Sequence, residues 1–235
     1  MEIMAFRVSG ERREAIRCRG RQNFKARFGR DEMLQLPGVA KVFEPSGILD
    51  PAWGKIDALN TDAVPTPLAA QPSEYLLETY GDRSWGAIGS VTLRGWQTRH
   101  NLAILAEWEA QAPTAEFNGP DSFLDRIAFF FPSSEDTPLG TMGSEEHPAT
   151  IWSWRSDKKL ERLVAKGPGT ITSVDNAGLY AEGMNIDGRW RVQISGTKPD
   201  GPMLFSVALW KGAAADRGGL KSFVPDWIAI PPYSR

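Results

Sequence analysis

Two residues of this chain combine a useful donor atom with a setting that could present it. Met142 stands between Thr141 and Gly143, in a segment (139–148) too rich in turn formers to be a strand. That segment runs directly into Ala149-Thr150-Ile151-Trp152-Ser153-Trp154, which reads as a strand carrying large aromatics. A thioether on a Gly-flanked loop at the end of a strand can reach a flat apolar guest lodged between sheets. Lys221 occupies a similar setting: it follows Gly218-Gly219-Leu220, at the exit of a Gly-rich loop that succeeds an apolar strand. An amine and a thioether on two facing loops can grip a metal from opposite sides. Each residue also has a plainer reading, Met142 as a gap filler under its loop and Lys221 as a solvated surface charge.

The other reactive side chains point to less. His100 and His147 both fall in predicted turns, where a solvated imidazole is the default. Neither a Gly-x-Ser-x-Gly elbow nor a His-Glu-x-x-His pair is present. Glu145-Glu146 reads as a solvated loop face, and the glycines at 212, 218 and 219 do not match a phosphate-binding loop. Cys18 is the only cysteine, so the chain can form no disulfide within itself. For the same reason it can build no Cys-based iron–sulfur or zinc site, and no Cys-x-x-Cys-His haem attachment.

The elements that must carry Met142 and Lys221 are mostly strands. Residues 88–96 and 101–108 form an expected hairpin, because Leu102, Ile104, Ala106 and Trp108 alternate with their neighbours after the short polar gap 97–100. Residues 123–132 are almost continuously apolar toward their end, as a strand buried on both faces would be. Asp125 and Arg126 then point to opposite faces. Residues 157–166 are expected as a short helix, with Asp157 near its N-cap, Gly167 beyond its end, and Leu160, Leu163 and Val164 as the inner stripe. Asp187-Gly188 marks a tight turn into 189–195, where Trp190, Val192 and Ile194 share a face. Residues 203–210 form a further buried strand, and 226–230 a last one. Many short strands separated by turn signals, with little helix, predict a mainly β fold: an antiparallel β-sandwich with a few short helices.

At 235 residues this is one sandwich domain, 46–235, preceded by an arm, 1–45, whose basic residues are either solvated or wrapped on a partner subunit. Nine tryptophans indicate a wide core, a ligand cavity or an interface. A net charge of −2 excludes the basic footprint of a general nucleic-acid binder. The first thirty residues are charged, without the apolar stretch of a signal peptide. Nowhere does an apolar run approach the ~20 residues of a membrane span.

Taken together, the pieces resemble a family. They are Ala52-Trp53, Pro65-Thr66-Pro67-Leu68, Glu107-Trp108, Phe123-Leu124-Asp125 with Phe131-Pro132, and Thr141-Met142-Gly143. They continue with Pro148 and Ile151-Trp152-Ser153-Trp154, Asp187-Gly188-Arg189-Trp190, Ala208-Leu209-Trp210 with Gly212, and Asp216-Arg217-Gly218-Gly219-Leu220-Lys221-Ser222. No single piece is specific, but their order and joint presence resemble the haem b-binding gamma subunits of type II dimethyl sulfoxide reductase family molybdoenzymes. Within that family the likeness is closest to the ethylbenzene dehydrogenase gamma subunit. It runs from about Ala52 to Ile228, and residues 1–45 find no counterpart.

The resemblance implies a β-sandwich holding one noncovalent haem b, with Met142 as the axial methionine and Lys221 as the axial lysine. It implies a non-catalytic electron-transfer subunit of a heterotrimer. An iron–sulfur beta subunit and a molybdenum-bearing alpha subunit would carry the other cofactors, and an external carrier such as a cytochrome would exchange electrons with the complex. His147 is the competing ligand, since imidazole is the commoner one, although Pro148 favours an extended backbone there. The implied location is the periplasm, reached by export alongside a signal-bearing partner, with the cytoplasm as the alternative. A different class of function stays open beside this: a carbohydrate- or ligand-binding β-sandwich whose surface tryptophans stack on sugar rings. A stand-alone hydrolase is a third.

Overall fold

The computed structural model describes residues 34–37, 45–67, 83–117, 119 and 122–233. In chain order its strands begin with β1 (Leu34–Gln35), β2 (Leu59–Asp62), β3 (Val64–Pro65), β4 (Ser90–Gln97) and β5 (Asn101–Glu109). There follow β6 (Arg126–Pro132), β7 (Ala149–Arg155), β8 (Leu160–Ala165), β9 (Thr172–Val174) and β10 (Leu179–Ile186). The last are β11 (Arg189–Thr197), β12 (Leu204–Trp210), β13 (Ser222–Phe223) and β14 (Ile228–Ala229). Helix among the described residues is limited to two short 3₁₀ turns, Pro51–Lys55 and Gly212–Ala214.

Alternating side chains make these segments sheet formers, and their apolar faces pair two sheets into the expected sandwich. The larger sheet runs β1-β14-β12-β6-β7-β8-β9, with β13 joining β12 to β3; the smaller runs β10-β11-β5-β4-β2. All named pairings are antiparallel except β1 with β14. Leu102, Ile104, Trp108, Val192 and Ile194 of the small sheet meet Ile127, Phe129, Trp152, Trp154 and Phe205 of the large one in the main core. Trp154 packs edge-on to Trp190 across the sheets, with ring centroids 5.2 Å apart. The β10–β11 hairpin turns on Asp187 and Gly188, both with positive φ (50° and 76°), the conformation a two-residue turn demands.

The residues expected as a helix, 157–166, instead supply β8, whose Leu163 pairs with Ile151 of β7. The same apolar spacing fits either element over so short a span, and the open edge of β7 decides the outcome. Asp157 is a turn residue rather than an N-cap. It accepts from the Lys159 amide at 3.2 Å and ion-pairs with Arg155 at 2.6 Å, and Lys158 takes a left-handed φ of 67°. Of the arm, residues 34–37 join the domain, with Leu36 in the main core; the remainder up to 44, and Cys18 with it, lies outside the described residues.

Candidate functional site

The strands of the large sheet bury both faces, and the outer one is the candidate site. Because side chains alternate, β6 sends Ile127, Phe129 and Phe131 inward and Arg126, Ala128 and Phe130 outward. The outer cluster consists of Ala128, Phe130, Ala149, Ile151, Leu163 and Ala165, with Leu139, Met142, Trp210 and Trp227 packed against it. Three of its six members are alanines, so the floor is low and flat beneath taller aromatic margins. Trp227 stacks on Phe130 with centroids 5.6 Å apart.

Met142 comes to this face on a tight loop. Its amide donates to Leu139 O at 3.1 Å and that of Gly143 donates to Pro138 O at 2.9 Å. Met142 itself takes a left-handed φ of 57°, a conformation that costs a non-glycine residue on the order of 1 kcal/mol or more. Gly143 has φ 90° and lies so close to the sheet that a Cβ there would stand 2.9 Å from Ala165 O and 3.2 Å from Ala149 N. The loop is therefore pressed onto the β7–β8 end of the face, with the strained Met142 half-buried against the cluster.

Lys221 reaches the other end, where Arg126 of β6 pairs with Trp210 of β12. It is only 8% exposed, and its Nζ lies 5.5 Å from the centre of the Trp210 ring. Burial pulls its pKa from 10.5 down to about 8, helped by the charge of Arg126. The backbone around it is fixed from several directions. Lys221 O accepts from the Thr66 amide at 2.9 Å and from Thr66 Oγ1 at 2.7 Å. At the root of the loop, two buried carboxylates take consecutive amides: Asp216 accepts from Lys211 N at 3.1 Å, and Asp125 from Gly212 N at 2.7 Å. Asp216 also accepts from Gly86 N at 2.8 Å, and Asp125 from Trp190 Nε1 at 2.7 Å. Burial raises the pKa of Asp216, against the pull of those amides. Gly212 fits because a Cβ there would overlap the Phe123 carbonyl.

Arg126 completes this end. Its guanidinium lies 5.3 Å from the Trp210 ring centre, its Nε donates to Ser153 Oγ at 2.6 Å, and Glu161 is a loose partner at 3.7 Å. Burial lowers its pKa from the ordinary value. Asp125 and Arg126 thus do face opposite ways, one into the core and the other onto the site.

The structure brings Met142 and the Lys221–Trp210 pair to the margins of one apolar face, from its two ends. The histidines stand apart from it. His147 shares a 2.8 Å hydrogen bond between Nδ1 and Ser134 Oγ, and His100 is exposed in the β4–β5 turn. Glu145 is a surface residue paired with Lys166 at 3.0 Å. Among the described residues no cluster of His, Cys, Asp and Glu is arranged to hold a metal ion. A separate depression of about 420 Å³, lined by Gly47, Ile48, Asp50 and Glu182, lies beside β10 of the small sheet. Both of its carboxylates are already engaged, Glu182 accepting from Ile48 N at 3.1 Å and Asp50 from Ala52 N at 2.8 Å. All nine tryptophans are described: six are buried, and Trp85, Trp210 and Trp227 are half-buried.

The roles of Arg126, Trp210, Asp125, Asp216 and Thr66 were missed by sequence reasoning. The outward phase of Arg126 was legible from alternation, but its proximity to Lys221 depends on contacts 95 positions apart in the chain.

No family model matches the chain. Curated relatives do. A provisionally named respiratory nitrate reductase heme subunit, ORF7, of Haloferax mediterranei is 28% identical over 202 residues, 80% of this chain and 68% of the relative. Chlorate reductase subunit gamma of Ideonella dechloratans is 28% identical over 138 residues, 54% of this chain and 58% of the relative. Dimethylsulfide dehydrogenase subunit gamma of Rhodovulum sulfidophilum is 34% identical over 128 residues, 46% of this chain and 48% of the relative. The match therefore spans about two thirds of the first relative and roughly half of the other two. Among solved structures, a family 9 carbohydrate-binding module from Caldicellulosiruptor kristjanssonii in complex with glucose superposes with a TM-score of 0.49. It is 11% identical, over 86% of this chain and 97% of that one. Its complex with cellotriose gives 0.48 at 10% identity, over 86% and 95%. At this level the likeness decides nothing about the present chain.

Proposed function

We propose that this chain is the electron-transfer gamma subunit of a type II dimethyl sulfoxide reductase-like molybdoenzyme, holding one noncovalent haem b between Met142 and Lys221. The observation that carries this reading is Lys221, a lysine only 8% exposed whose pKa is drawn down to about 8 beside an apolar face that Met142 also borders. A lysine binds iron only as a free amine, so an environment that already disfavours its proton suits the task. The neutral thioether of Met142 favours the softer ferrous state. Alanines make the floor flat, and Trp210, Trp227 and Phe130 supply apolar walls, which fits a planar macrocycle as well as the donor set fits its iron. The three relatives, named as heme or gamma subunits, support the same reading.

Bound there, the haem would supply a one-electron centre. The protein's part would be to hold the two donors, Met142 and Lys221, on fixed loops and to keep water off the face. Met142 is set by its left-handed turn, and Lys221 by Thr66, Asp216 and the glycine root of its loop. The subunit performs no substrate chemistry in this scheme. It passes electrons between an external carrier, such as a cytochrome, and an iron–sulfur beta subunit, while a molybdenum-bearing alpha subunit does the chemistry. The complex is ethylbenzene dehydrogenase-like and periplasmic, the gamma subunit being exported with a partner. Among the described residues no helix is long and apolar enough to cross a membrane.

The test is spectroscopic. The purified chain, supplied with iron protoporphyrin IX, is expected to show a Soret band and a six-coordinate low-spin ferric spectrum, with all haem extractable by acidified acetone. Met142→Ala and Lys221→Met should each alter that spectrum, and His147→Ala should leave it in place. Native purification should bring down a chain rich in Cys clusters. A colourless protein that binds sugars would overturn the proposal in favour of a carbohydrate-binding module.

A further inference from the structure

The site carries more positive charge than its proposed ligands need. Two cations flank a single indole: Arg126, with its guanidinium carbon 5.3 Å from the Trp210 ring centre, and Lys221, with its Nζ at 5.5 Å. Trp210 is itself tied down, since its Nε1 donates to Gly218 O at 3.0 Å. The neutralisation available to Arg126 is thin. Glu161 stands 3.7 Å away and is shared with Lys159, whose Nζ is closer at 2.8 Å. Arg155, the next cation along, is engaged by its own partner Asp157 at 2.6 Å. The guanidinium of Arg126 is anchored by Ser153, a neutral group, so its position is fixed without its charge being cancelled.

We propose that Arg126 is a fixed, half-buried cation that raises the reduction potential of the iron held at Lys221. The inference rests on the haem reading above and deepens it. Ferric iron carries one more positive charge than ferrous iron, and a nearby cation held partly out of solvent opposes that extra charge more strongly than one in bulk water would. An arginine is well suited, because its guanidinium keeps its charge at every accessible pH. Glu161 acts in the opposite sense, as a partial counterweight. The two residues share one loose contact, yet their charges pull the couple in opposite directions.

That opposition makes the proposal testable apart from any structural role. The experiment is a spectroelectrochemical redox titration of the full-length chain loaded with iron protoporphyrin IX, comparing wild type with Arg126→Gln, Arg126→Lys and Glu161→Gln. Arg126→Gln should lower the midpoint and Glu161→Gln should raise it, with Arg126→Lys close to wild type. The expected size is a several-fold change in the ferrous-to-ferric ratio at fixed ambient potential, tenfold corresponding to about 59 mV for a one-electron couple. Both neutral variants delete the same ion pair, so a purely structural role would move them the same way, and that result would overturn the proposal. An unmoved midpoint in Arg126→Gln would overturn it too. Should Arg126→Gln fail to load, the sign of the shift in half-buried Glu161→Gln decides alone. A wild-type protein with no Soret band would sink the haem reading itself, whereas a normal band with unmoved midpoints refutes only the role of Arg126.

Discussion

Replacing Lys221 by methionine should make the apoprotein more stable at neutral pH while exchanging the site's amine donor for a thioether. The magnitude follows from the burial of the amine. Its pKa falls from 10.5 to about 8 in the folded chain, chiefly through desolvation and secondarily through Arg126. In the unfolded chain it keeps the ordinary value. Below about pH 8 the lysine is charged in both states, and the folded state bears the full penalty of burying that charge. Between about pH 8 and 10.5 the folded amine is neutral while the unfolded one still holds its proton, so the penalty fades as pH rises. The stability involved is therefore present above the unfolded pKa and lost as pH falls toward the folded one. At about 1.4 kcal/mol per tenfold change in proton affinity, the penalty at pH 7 is about 3 kcal/mol. Lys221→Met should relieve most of it, since methionine has similar length and no charge to bury. The assay is urea unfolding of the apoprotein, wild type and variant, at pH 7 and again near pH 10. The variant is expected to gain up to about 3 kcal/mol at pH 7 and much less near pH 10. A gain of equal size at both pH values would mean better packing rather than relieved desolvation, and no gain at all would mean that Lys221 is solvated; either result refutes the reasoning.

Three further outcomes follow from the same geometry. Met142→Gly frees the left-handed turn of its side-chain strain, so the apoprotein should be no less stable by urea unfolding, while the six-coordinate low-spin spectrum of the loaded protein is lost. Gly212→Ala drives a methyl into the Phe123 carbonyl at the root of the Lys221 loop, and thermal or urea unfolding should show a loss on the order of 2 kcal/mol with a disturbed ferric spectrum. Acid titration of the ferric protein should release Lys221 from iron as protons compete for its lone pair, and Lys221→Met should lack that step because a thioether has no proton to gain.

The sandwich was legible because alternation is a local property. Leu102, Ile104, Ala106 and Trp108 announce their face within a few residues of one another, and they do line the main core. Asp187-Gly188 announced its turn for the same reason, since few other pairs accept two positive φ values. Residues 160–165 misled because apolar spacing over six positions fits a helical stripe as well as a strand, and pairing with the edge of β7 settles the choice. The strain at Met142 and the burial of Lys221 were not legible at all. The first depends on how closely Gly143 is pressed to Ala165, and the second on Trp210 and on two carboxylates, Asp125 and Asp216, that hold the loop's root. Each is set by the tertiary structure rather than by neighbours in sequence.

The large sheet belongs to two compartments at once, and they share no residue: the main core lies wholly on its inner side, the site cluster wholly on its outer side. A substitution on the inner side therefore bears on whether the sheet forms, and one on the outer side on what the formed sheet can hold. The two sides can accordingly be altered independently, each without removing the contacts of the other.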